Sequence, residues 1–119
     1  MSTIILLEDD EQLRELYSLH LGRQGHTVIA AGNSAKIGEL LYRHQPALIV
    51  TDLMMPDHEG MEAIFKIRDL FPVPVIAMSS NPAFLKMAAP LAEATLLKPF
   101  SGDELMVQVE RLLRSQAES

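Results

Sequence analysis

The sequence predicts one α/β domain, a doubly wound sheet of five parallel strands with helices on both faces, and three observations carry that expectation. Short apolar runs alternate with amphipathic stretches along the whole chain, the signature of repeated strand-helix units. The runs are rich in Leu, Ile and Val and lack polar alternation, as strands do when a sheet is covered on both sides. A length of 119 residues with no cysteine suits a single core that buries roughly two thirds of the unfolded surface without disulfides or metal. Residues 1–119 therefore read as one domain, ordered over 3–114, with a frayed tail at 115–119.

Each element follows in order. "TIILLE" (Thr3–Glu8) is the first strand. In the helix after it Leu13, Leu16, Tyr17, His20 and Leu21 share one face at three- and four-residue spacings, and Gly22 and Gly25 stop it. "TVIAA" (Thr27–Ala31) is the second strand. Asn33 or Ser34 then caps a helix with Ile37, Leu40, Leu41 and His44 inward, ended by Pro46. "ALIVTD" (Ala47–Asp52) is the third strand. The third helix covers Gly60–Phe71 with Met61, Ile64, Phe65 and Arg68 on one stripe, and "PVPVIAMSS" carries the fourth strand out to Ser80. The fourth helix occupies Pro82–Ala92, with Pro90 inside the pattern, where it ends or kinks the helix. "ATLLK" (Ala94–Lys98) is the fifth strand. "SGDE" (Ser101–Glu104) is a capping box that opens a last helix with Leu105, Val109, Leu112 and Leu113 inward.

Composition excludes several classes of function. Without cysteine, neither a disulfide framework nor a thiolate metal site can form. The apolar runs are too short to span a bilayer, and "MSTIILLEDD" turns acidic where a signal peptide needs a longer apolar core. A soluble, cytoplasmic protein with no membrane partner is expected. The formal net charge of -6 opposes association with phosphate backbones, so no direct nucleic-acid binding is expected either.

In open parallel sheets ligands bind beyond the carboxyl ends of the strands, which directs attention to the residues at strand exits. These are Glu8, Asp9 and Asp10 after the first strand, Asp52 after the third, Ser79 and Ser80 after the fourth, and Lys98 after the fifth. An aspartate that ends the apolar run Ala47–Val50 calls for a reason. Helices begin just past several exits, and their positive ends favour an anion there. Carboxylates gathered at one edge repel one another unless a cation neutralises them, and oxygen-only ligands with few protein donors suit Mg2+. Such an ion would keep Asp52 ionised and able to attack phosphorus. Lys98 and the Ser79 hydroxyl would then neutralise and hydrogen-bond the oxygens of an incoming phosphoryl group.

Plainer readings stand beside these. Asp52 could cap the following turn, with Pro56 and Gly60 merely making a loop. The run "EDDE" also suits a helix N-terminus, Ser79 and Ser80 could simply end a strand, and "KPF" could be a turn before a capped helix. His58 lies in the loop after Asp52, but no second histidine has ligand spacing to it, so it reads as a solvated loop residue. His20 and His44 read as packed or boundary residues, and the methionines mostly as core filler.

The set "LLEDD", "VTDLMMPDHEG", "VIAMSS" and "LLKPF" resembles, in order and over essentially the whole chain, the receiver domain of bacterial two-component response regulators. The resemblance implies the flavodoxin-like, CheY-like strand order 2-1-3-4-5. It implies that Asp52 is the phosphoacceptor, that Asp9 ligates Mg2+ with Glu8 as its acidic neighbour, and that the backbone carbonyl of Met54 is a third ligand. Ser79 would be the switching hydroxyl and Lys98 the lysine that pairs with the phosphoryl group, with a cis Lys98–Pro99 bond. The implied partners are a sensor histidine kinase or histidine phosphotransfer protein, a downstream protein target or output domain, and a second copy of the chain in a homodimer. The implied catalysis is confined to the domain's own aspartyl phosphorylation and dephosphorylation.

The chain departs from the family in one region. Thr95 stands where an aromatic residue usually precedes the lysine by three positions, Leu91 and Ala92 replace a common Gly-Ala, and the Ser79-to-Lys98 spacing is short. A short or displaced fourth helix is expected. Met54 and Asn81 occupy positions that tune phosphoryl lifetime in the family. Two further classes remain: a degenerate receiver that binds partners without phosphorylation, and a phosphohydrolase. The latter wants a second carboxylate two residues past the nucleophile, where this chain has Met54.

Overall fold

A computed structural model describes residues 2–55, 58–59 and 61–117, with side chains described for 2–55 and 61–116. Five apolar segments form one parallel sheet: β1 (Thr3–Leu7), β2 (Thr27–Ala31), β3 (Leu48–Asp52), β4 (Val75–Ser79) and β5 (Ala94–Leu97). Their order across the sheet is β2-β1-β3-β4-β5, as the resemblance implies. The register aligns Leu6 with Val50, Asp52 with Met78, and Ser79 with Leu97, so the polar residues that end the strands fall along one edge.

Side-chain alternation along each strand feeds two cores. On one face Ile5, Leu7, Ile49, Val75 and Ala77 pack with Ile37 and Leu41 of α2 (Ile37–His44), Ile64 and Ile67 of α3 (Glu62–Leu70), and Ala88 of α4 (Pro82–Ala88). On the other, Ile4, Leu6, Leu48, Val50, Ile76 and Met78 pack with Tyr17 and Leu21 of α1 (Glu11–Arg23) and with Leu105, Val109 and Leu112 of α5 (Gly102–Ala117). Covered on both faces, β1, β3 and β4 need the unbroken apolar sequences they have.

Several boundaries differ from the sequence reading for local reasons. α1 is capped by Asp10, whose Oδ1 accepts the Leu13 amide at 3.0 Å, and Gly25 follows the helix at φ +88. Leu16 is 46% exposed, so the inner stripe narrows to buried Tyr17 and Leu21 with Leu13 packed at its margin. α2 starts later than a cap at Asn33 or Ser34 would place it. Asn33 Oδ1 instead closes a local turn on the Ala35 amide, and the Ser34 carbonyl accepts the Ile37 amide. α2 ends through Gln45 in the left-handed region at φ 44, immediately before Pro46.

On α3 the buried face is Met61, Ala63, Ile64 and Ile67, roughly one residue's rotation from the expected stripe. Phe65 is exposed, and Arg68 sits at the boundary because its guanidinium turns to the loop before β5. α4 ends at Ala88, short of Pro90, and begins with Asn81 Oδ1 accepting the Ala83 amide ahead of Pro82. The capping box of α5 forms: the Ser101 hydroxyl accepts the Glu104 amide at 3.0 Å, and Glu104 Oε1 accepts the Ser101 amide at 3.4 Å. α5 continues to Ala117, beyond the expected end of order at 114, while residues 118 and 119 lie outside the described residues. The Lys98–Pro99 bond is cis. After β3 the backbone forms a small antiparallel ladder, Met54–Met55 with His58–Glu59. Pro56 and Gly60, and the His58 side chain, lie outside the described residues.

Candidate functional site

Strand exits bring the predicted polar residues together. Glu8 and Asp9 follow β1, Asp52 and Ser79 end β3 and β4, and Lys98 follows β5. Glu8 is wholly buried, Asp52 is 5% exposed and Asp9 faces solvent. Among the described residues these three carboxylates form a group that could hold a metal, each offering an oxygen within 4.8 Å of the others. Lys98 Nζ bridges two of them, donating to Asp52 Oδ2 at 2.6 Å and to Glu8 Oε1 at 2.5 Å. The Met54 amide donates to Asp52 Oδ1 at 3.0 Å, so both acceptor oxygens are engaged. Ser79 is buried, and its hydroxyl oxygen accepts the Asn81 amide at 3.0 Å.

The electrostatics follow from one cation facing several carboxyls. Burial, and then its hydrogen bond with Asp52, push the Glu8 carboxyl up to about 8. Burial alone would raise Asp52 too, but hydrogen bonds from Glu8, Lys98 and the Met54 amide outweigh it and hold the group below the usual range. Burial would lower Lys98, yet its bonds to Asp52 and Glu8 raise it. The two buried carboxyls are thereby pushed apart, Glu8 toward its neutral form and Asp52 toward its charged form, with Lys98 held as the cation between them.

A hard cation fits this donor set. Glu8 Oε2 is buried without a hydrogen-bond partner, an atom that costs free energy unless something binds it. Glu8, Asp9 and Asp52 together offer an oxygen-only site of the kind Mg2+ prefers. The contact seen at Met54 is through its amide, and its side chain is 40% exposed. Asp10 stands apart from the cluster as the α1 cap, and His20 and His44 are half-buried on α1 and α2.

Arg14 went unread in the sequence. Its guanidinium donates to the carbonyls of Glu8 at 2.9 Å and Asp9 at 3.4 Å. The only available signal was its place in the first turn of a helix, from which side chains lean back toward the N-terminus.

Comparison with known proteins places this geometry in a family. The family described as response regulator receiver domain matches residues 4–110. The DNA-binding transcriptional regulator NtrC of Azospirillum brasilense is 35% identical over 118 residues, covering 96% of this chain and 24% of the relative. The transcriptional regulatory protein AfsQ1 of Streptomyces coelicolor is 32% identical over 117 residues, covering 96% of this chain and 52% of the relative. The chain thus spans about half or less of the length of these relatives. The Francisella response regulator 1452 receiver domain superposes with a TM-score of 0.89 at 22% identity, covering 98% of this chain and 99% of the other, which shows a shared fold. Among the described residues no helix is long and apolar enough to cross a membrane. Since the match extends from β1 into α5 and includes every strand exit that builds the carboxylate cluster, the chain belongs to the response regulator receiver domains, signalling modules of two-component systems.

Proposed function

We propose that Asp52 accepts a phosphoryl group, from the phosphohistidine of a sensor histidine kinase or histidine phosphotransfer protein or from a small phosphodonor, in a Mg2+-dependent reaction in the cytoplasm. The observation that carries this reading is the position of Asp52. It is a buried, ionised carboxylate at a sheet edge, between a lysine ammonium and two further carboxyls. A carboxylate oxygen of Asp52 attacks phosphorus, the donor's P–N or P–O bond breaks, and the leaving group takes the electron pair, giving an acyl phosphate.

Glu8, Asp9, Asp52 and the Met54 carbonyl would hold Mg2+, which neutralises charge developing on the transferred group. Lys98 already lies at the Asp52 oxygen and is placed to pair with a phosphoryl oxygen after transfer. Ser79, one register step past Met78 on β4, supplies the hydroxyl whose engagement reports the modified state. The signal leaves through an altered surface read by a protein target or output domain, or by a second copy of the chain.

Intact mass after incubation with phosphoramidate tests this. One added phosphoryl group, dependent on Mg2+, abolished by EDTA and absent in Asp52→Asn, is expected. A folded wild type that gains no mass in Mg2+ would favour a second reading, a partner-binding module that works without phosphorylation. That reading draws on the short α4, on Thr95, and on the loop before β5 being held to α3 by Arg68.

A further inference from the structure

We propose that Arg14, through a space kept open by Gly32, is a positioning residue for the acid pair Glu8 and Asp9; the proposal rests on the reading of the site as Mg2+-dependent. The last ladder bond at this corner runs from the Glu8 amide to the Ala31 carbonyl at 3.0 Å, and β2 ends at Ala31. Two residues beyond Glu8, Asp10 is fixed as the cap of α1. The backbone carrying both acidic side chains therefore crosses a gap between two anchors, outside any strand or helix. Arg14 closes that gap with a single Nη1, which donates to the carbonyl of Glu8 at 2.9 Å and of Asp9 at 3.4 Å. Gly32, the first residue past β2, makes room for it: a Cβ there would stand 3.0 Å from Nη1 and 4.0 Å from the Glu8 carbonyl oxygen.

Fixing two successive carbonyls fixes the peptide planes from which both carboxylates project. A planar guanidinium reaches them with a geometry that a lysine ammonium does not reproduce. The same group is a cation beside the acid cluster, and its charge opposes a divalent ion. The two effects have opposite signs, so the direction of change on removing Arg14 separates them. Groups that orient metal ligands typically contribute 10–100-fold to metal affinity, more than a solvent-screened repulsion at this distance.

The test is calorimetric titration of the full chain with MgCl2, on wild type, Arg14→Met, Arg14→Lys and Gly32→Ala, each checked for folding by circular dichroism. Positioning predicts a Kd for Mg2+ raised about tenfold in Arg14→Met, with smaller rises in Arg14→Lys and in Gly32→Ala, where the guanidinium is displaced but not lost. Gly32→Ala retains the arginine charge, so weakening there cannot come from lost charge; it also decides the matter should Arg14→Met fail to fold. A role in stability alone would lower the metal-free melting temperature while leaving the Kd of the folded protein unchanged, and that result overturns the proposal. Tighter binding in Arg14→Met overturns it as well, because charge would then outweigh geometry. If wild type itself binds no Mg2+, the reading of the site fails first; normal wild-type binding with unaffected variants removes only the role of Arg14.

Discussion

At the scale of single residues, the site is governed by how one lysine serves two buried carboxyls. Glu8 keeps its proton in the folded chain up to about pH 8 but loses it near 4.5 when unfolded. Between those values the folded state binds more protons than the unfolded one, so stability falls as pH rises through the window. Asp52 and Lys98 leave that window clear, because Asp52 is shifted downward from 3.8 and Lys98 upward from 10.5. Urea denaturation of wild type and Glu8→Gln in EDTA at pH 5 and pH 8 checks this. Wild type should lose at least ~1 kcal/mol relative to the variant over that interval, and parallel pH dependences would contradict the assignment. Asp52 was legible in the sequence because a carboxylate that ends a buried strand must be placed where the sheet edge meets a cation or solvent. The upward shift of Glu8 was not, since it depends on burial and on Asp52, which the pairing of β1 with β3 brings beside it against the opposing pull of Lys98.

At the scale of elements, the region that departs from the family is held by a clamp from α3. Arg68 donates to the Leu91 carbonyl through Nε at 2.9 Å and to the Val73 carbonyl through Nη1 at 2.6 Å, and it pairs with Glu93. Glu93 in turn accepts the Val75 amide at 2.7 Å, tying the entry of β5 to the start of β4. Arg68→Ala removes several charge-assisted bonds at a partly exposed site and should cost about 2 kcal/mol in chemical denaturation. Hydrogen exchange should quicken at residues 89–93, and Arg68→Lys should recover only part of the loss. Unchanged exchange there would show that α4 and its loop are held by packing alone. A short α4 could be read from Pro90, and the α5 capping box from Ser101 and Glu104, because both are local rules. The clamp could not, because two of its acceptors are backbone carbonyls and its partners on the loop before β5 lie 23 and 25 residues away in the chain. The face of α3 was misread because Phe65 fits the same periodicity as Ile64, and periodicity alone does not say which of two adjacent stripes faces the sheet.

At the scale of the whole molecule, a parallel sheet with two covered faces leaves its polar chemistry only the strand ends, and the 2-1-3-4-5 order brings β1, β3, β4 and β5 to a common edge. The collection of residues at the carboxyl edge was legible because the binding-edge rule is nearly independent of detail, whereas the strand order was legible only through the resemblance to the family. The ladder of Met54–Met55 with His58–Glu59 was not, since a two-residue pairing leaves no period to read. The proposed role of this scaffold is to present Asp52 as the single phosphoacceptor. Its most direct test is borohydride reduction after phosphodonor and Mg2+ treatment, followed by peptide sequencing in the mass spectrometer. Reduction of an aspartyl phosphate yields homoserine, which is expected at position 52 alone; homoserine at position 9, phosphate retained on Ser79, or an unmodified position 52 in a folded, Mg2+-binding protein would rule that role out.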